Sequence, residues 1–108
     1  GMALNQLGLV HMRLKEPESA QQAFEGALEV AQKSYPALTV DIYSNLGALA
    51  RRTGKTASAM SYYRQSLEAA QSWSQPDGAE QALRSMAAIY LDAGQTDKAQ
   101  RLLEKLKR

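Results

Sequence analysis

The chain has 108 residues, 44% of them hydrophobic and 22% charged, which suffices for one globular domain and is too apolar for a disordered segment. Thirteen basic and 11 acidic residues leave a net charge of +2, too little to mark a nucleic-acid surface without clustered Lys and Arg. The absence of cysteine excludes disulfides and thiolate-held metal, no apolar run approaches the ~18 residues of a membrane helix, and the start lacks a signal-peptide pattern.

Apolar residues recur with helical spacing throughout, and six helices are predicted. The first covers about residues 2–14, with Leu4, Leu7, Val10, Met12 and Leu14 in a broad apolar band. Lys15-Glu16-Pro17 stops it, and Pro17 suits the first position of the next helix. That second helix runs to about Ser34 and carries Ala20, Phe24, Ala27, Leu28 and Ala31 on one face. After the break at Tyr35-Pro36, a third helix spans about residues 37–52 and ends at Gly54, a left-handed cap. Thr56 is the expected N-cap of a fourth helix over about 57–73. A turn-rich connector, residues 74–78, precedes a fifth helix over about 79–93, which Gly94 closes. Thr96 is the expected N-cap of the sixth, about 97–107.

These helices repeat. Ala20, Ala59 and Ala99 fall in register, 39 and then 40 residues apart. The same register aligns Leu7/Leu46/Met86, Gly8/Gly47/Ala87 and Phe24/Tyr63/Leu103. A fixed period with small and large apolar residues in register means stacked supersecondary units. The small residues let two helices approach, and Phe24, Tyr63 and Leu103 fill the space between them. Repeats are expected at about 2–36, 37–75 and 76–108.

At these residues the chain resembles the tetratricopeptide repeat family. Its pattern stands here as Leu4, Leu7, Gly8, Ala20, Phe24 and Ala27, with a second copy at Tyr43, Leu46, Gly47, Gly54, Ala59 and Tyr63. The third reads Leu83, Met86, Ala87, Tyr90, Gly94, Ala99 and Leu103. The period exceeds the usual 34 residues or so, with the excess expected between each second helix and the next first helix. This is similar to the long-repeat branch of kinesin light chains and bacterial peptide-sensing regulators. Lys15 stands where the other copies have glycine. The resemblance implies an all-α right-handed superhelix (an α-solenoid), whose first helices line a concave groove that holds a partner's peptide.

On that implication the inward residues of the first helices are the candidate site. They include Met2, Asn5, Gln6, Leu9 and Arg13, then Ser44, Asn45, Ala48, Arg51 and Arg52, then Gln81, Arg84, Ser85 and Asp92. Asn and Gln each offer a donor and an acceptor, as an extended peptide backbone requires. The arginines suit carboxylates. The candidate peptide-binding set is therefore Asn5, Gln6, Arg13, Asn45, Arg52 and Arg84, with Asn45 first because peptide-binding relatives use an asparagine there. The carboxylate clamp of chaperone-binding relatives is not expected, since Asn5, Leu9, Gln81 and Ser85 stand where it needs Lys, Asn, Lys and Arg. His11 has no second histidine or cysteine for a metal site. It reads as a packed side chain, Tyr63 as core, Tyr62 as packing on the following repeat, and Trp73 as cover for the long connector.

No nucleophile, acid/base pair or phosphate loop is evident, so neither an enzyme nor a cofactor is expected. The main reading is a cytoplasmic protein-interaction module that binds a peptide segment, with no nucleic-acid or membrane partner. A second has a structural element that self-associates through its apolar first helix, the polar end at Lys105 and Lys107 serving as a cap. A third has the sensor domain of a bacterial transcriptional regulator. The apolar outer face of the first helix also leads to the expectation that the chain is part of a longer protein.

Overall fold

The computed structural model describes residues 2–107. The side chains of Met2 and Lys107, expected on the groove and at the polar end, lie outside the described residues.

Six α-helices follow one another: α1 Met2–Arg13, α2 Pro17–Ser34, α3 Thr39–Arg52, α4 Thr56–Ser72, α5 Pro76–Asp92 and α6 Thr96–Glu104. Short 3-10 segments lie at Pro36–Leu38 and Lys105–Lys107. Each helix packs chiefly on its neighbours in sequence, which makes three helix pairs stacked as a helical-repeat solenoid. The molecule measures 37 × 30 × 17 Å. Its short axis is two helices thick, given interaxial distances of about 8–10 Å.

Four of the five connections are the same turn. Lys15, Gly54, Ser74 and Gly94 all have positive φ, at 60°, 79°, 52° and 76°. In each case the following N–H reaches back to a carbonyl five residues earlier, as in Glu16 to His11 (2.9 Å) and Gln75 to Ala70 (2.8 Å). This is the hydrogen bond of a Schellman cap. One extended residue comes next, and its carbonyl accepts the first bond of the new helix, as in Lys55 from Ala59 at 2.9 Å. The helix start is fixed by that geometry. Thr56 and Thr96 are therefore first helical residues rather than N-caps, and the cap residues Lys55 and Gln95 make no side-chain cap bond.

The connector at 74–78 is shorter than expected, because α5 begins at Pro76. Proline fits the first helical position, Asp77 suits the dipole, and Gly78 lets α5 lie against Val40. A Cβ at Gly78 would come 2.8 Å from Val40 Cγ1. The extra length of the repeat is thus mostly helical, and α2 and α4 run for 18 and 17 residues.

Phe24 is fully buried with Ala20, Ala27 and Ala31 from α2 and Ile42, Leu46 and Leu49 from α3. Tyr63 occupies the same place one repeat later, with Leu83, Met86 and Ile89. A Cβ on Gly8 would sit 2.5 Å from the Phe24 ring, and one on Gly47 would sit 2.8 Å from the Tyr63 ring. The ring-on-glycine contact expected from the register is present in both. Tyr62 packs against both core clusters, and its hydroxyl reaches back to the first repeat, accepting from Gln21 Nε2 at 3.3 Å. Trp73 is half exposed. His11 is half-buried, with Nδ1 3.1 Å from Glu16 Oε1.

Burial pushes the Tyr63 phenol up from its ordinary value near 10, against Arg51 and Ser85, which pull it down. The folded state holds this proton longer than the unfolded chain. Its contribution to stability is complete below pH 10 and is lost as pH rises from there through the folded value. Tyr63→Phe, which copies the residue of the first repeat, is expected to flatten this alkaline loss in urea unfolding measured between pH 9 and 11.

Candidate functional site

The first helices α1, α3 and α5 share a face of half-buried side chains. Asn5 and Leu9 lie on α1, Ser44, Asn45 and Ala48 on α3, and Ser85 and Ala88 on α5. Gly8 and Gly47 turn toward the second helices, and the shared-face residues lie roughly 60–160° round each first helix from that contact, beside it. The helical period therefore places the polar row.

Asn45 Nδ2 donates to Asn5 Oδ1 at 2.8 Å, joining α1 to α3 across 40 residues of sequence. One repeat on, Arg51 Nη2 donates to Asp92 Oδ2 at 2.6 Å, joining α3 to α5. Each asparagine keeps polar capacity beyond this bond: Asn5 its amide N–H groups and Asn45 its carbonyl and a second N–H. An extended chain laid along the face would meet both kinds of group.

The six candidate residues separate into three situations. Asn5 and Asn45 meet. Arg13 and Arg52 converge on a cleft of about 570 Å³ between the first and second repeats, with Met12 and Leu49 in its wall. Gln6 and Arg84 join neither pair. Gln6 is exposed, and Arg84 turns to Glu80 of its own helix at 2.8 Å. Sequence reasoning missed Lys15, Pro17, Leu49 and Thr53 as neighbours of this cleft. The signal for Lys15 was its place in the register of Gly54 and Gly94, which sets it on a left-handed turn at the cleft's edge.

Among the described residues no group of three His, Cys, Asp or Glu could hold a metal ion. Among them, too, no helix is long and apolar enough to cross a membrane.

Stacked helix pairs with small residues at the helix contacts and a shared polar face define a helical-repeat protein. The Tetratricopeptide repeat family profile matches residues 1–72, and the chain belongs to that family. The crystal structure of the TPR domain of Arabidopsis FLU is similar over 97% of this chain and 89% of that one, with a TM-score of 0.86 and 28% identity. No curated protein sequence matches the chain. Domains of this family are generally protein-interaction modules and typically non-catalytic.

Proposed function

We propose that the chain holds a peptide segment of a partner protein along the shared face of α1, α3 and α5, within the cytoplasm. The observation that carries this is the Asn5–Asn45 pair, two half-buried amides from neighbouring repeats held 2.8 Å apart. Such pairing orders the side chains before a ligand arrives, which lowers the entropic cost of binding. A random peptide library selected on the immobilised protein tests the reading. Selected peptides are expected to lose about tenfold in affinity on Asn45→Ala, the value of one good hydrogen bond. Equal binding to wild type, Asn5→Ala and Asn45→Ala would contradict it.

A second reading, self-association through α1, has its own observation. Leu7, Val10 and Leu14 are 45%, 39% and 63% exposed along one stripe of α1. The register partners of Leu7 and Val10 on α3 and α5, Leu46, Leu49, Met86 and Ile89, are buried, whereas Leu14, just past α1, aligns with exposed Thr53 and Ala93. The stripe is the face that the later first helices cover with the preceding second helix. If α1 does self-associate, sedimentation equilibrium will show a concentration-dependent dimer that Val10→Glu abolishes; a monomer at all concentrations would set this reading aside.

A further inference from the structure

The seam between the first two repeats and the seam between the last two are built from residues in the same register, but their charges differ. At the second seam Arg51, Thr56, Ile89, Asp92 and Ala93 surround a cleft of about 330 Å³. Across it Arg51 and Asp92 make their 2.6 Å ion pair. At the first seam the same register positions carry Met12, Pro17, Leu49, Arg52 and Thr53, around the larger cleft of about 570 Å³. Methionine stands in place of the arginine, and arginine in place of the aspartate. Arg13 and Lys15 also line this cleft, and no acidic residue does. Among the described residues none of Arg13, Lys15 and Arg52 is in an ion pair.

From this difference we infer that the first seam is the anchoring point for a partner segment that carries a carboxylate next to a bulky apolar side chain. This rests on the peptide-holding reading and names the chemistry of the peptide. The apolar side chain enters against exposed Pro17 and the cleft-lining edges of Met12 and Leu49, which are otherwise buried in the core. Its neighbouring carboxylate meets the guanidinium groups of Arg13 and Arg52, whose planar donors match a carboxylate two bonds at a time. The ligand thereby supplies the negative charge that Asp92 supplies to the second seam. A position in the last helical turn explains why cations are tolerated here. It explains neither the missing acid, which Asp92 supplies at the second seam from within the chain, nor the larger volume of the first cleft. The other arginines of the face are already engaged, Arg51 by Asp92 and Arg84 by Glu80.

The test is an NMR titration of the full 108-residue chain with a labelled glycine-serine octapeptide carrying a central leucine flanked by aspartates. Two control peptides replace the aspartates by asparagine or the leucine by alanine. The parent peptide is expected to shift the amides of Lys15, Leu49 and Thr53, and to weaken as salt is raised. Each control peptide, and the Arg52→Asp protein, is expected to bind at least tenfold more weakly. Lys15→Gly is expected to weaken binding while raising the melting temperature, so lost binding cannot be assigned to lost folding. Failure of the parent peptide to bind, or binding that Arg52→Asp and Lys15→Gly leave unchanged, would overturn the proposal. Library-selected peptides that still depend on Asn45 in that event would leave the peptide-holding reading standing. Cleft binding by the designed peptide with no dependence of selected peptides on Asn45 would do the reverse.

Discussion

Phe24→Ala is expected to remove about 3–5 kcal/mol of stability, the usual cost of emptying a fully buried aromatic site. Domains of this size are stable by only ~5–15 kcal/mol, so the variant should be partly unfolded at physiological temperature. The sharper expectation concerns its partner. In the wild-type protein Gly8→Ala drives a Cβ to within 2.5 Å of a ring that is itself fully enclosed, and overpacking of this kind costs about 1–3 kcal/mol. Once Phe24 is alanine, the same Cβ enters empty space, and alanine is the better helix former by about 1 kcal/mol. Gly8→Ala should therefore destabilise the wild type and stabilise the Phe24→Ala variant. A urea double-mutant cycle measures this; the same sign in both backgrounds would show that the ring-on-glycine contact does not set the spacing of α1 and α2. The third repeat already uses the alternative, with Ala87 and Leu103 in the places of Gly8 and Phe24.

Lys15→Gly and Ser74→Gly together are expected to raise stability by about 1–2 kcal/mol. A side chain in the left-handed region costs roughly 1–2 kcal/mol, of which glycine's greater freedom in the unfolded chain takes back about 0.5–1. Gly54 and Gly94 hold the same turn with no such cost, at φ of 79° and 76°. The reciprocal change, Gly54→Ala, should lose about 1 kcal/mol although no atom lies within 4 Å of the added Cβ, because the backbone alone opposes it. Thermal unfolding of the four proteins checks both signs. An unchanged melting temperature for Lys15→Gly would mean that the turn relaxes when the lysine is replaced.

The repeat architecture was legible because it is written in size as well as polarity. Small residues at Gly8, Gly47, Ala20 and Ala59 opposite rings at Phe24 and Tyr63 leave few ways to pack two helices. Gly54 and Gly94 were legible as turns for the same reason, since glycine states its conformational role. Ser74 was not, because nothing in a serine announces φ of 52°; its neighbours impose the turn. With that turn hidden, Pro76, Asp77 and Gly78 read as loop although they begin α5. The polar row was legible from the helical period, down to Asn45 on the shared face. Which arginines pair was not, because Arg51 and Asp92 lie 41 residues apart and meet only through the stacking of repeats. The hydrogen-bond partner of Tyr62 was hidden for a related reason. The position of Tyr62 fixes the face of α4 but not which neighbouring repeat offers a partner, here Gln21.

On the proposed function, partners are held on the face shared by α1, α3 and α5. Chemical-shift mapping of a library-selected peptide on the isotope-labelled chain tests it most directly. The largest shifts are expected on Asn5, Ser44, Asn45, Ala48 and Ser85, including the Asn45 side-chain amide. Shifts confined to Leu7, Val10 and Leu14 on the outer stripe of α1 would contradict it.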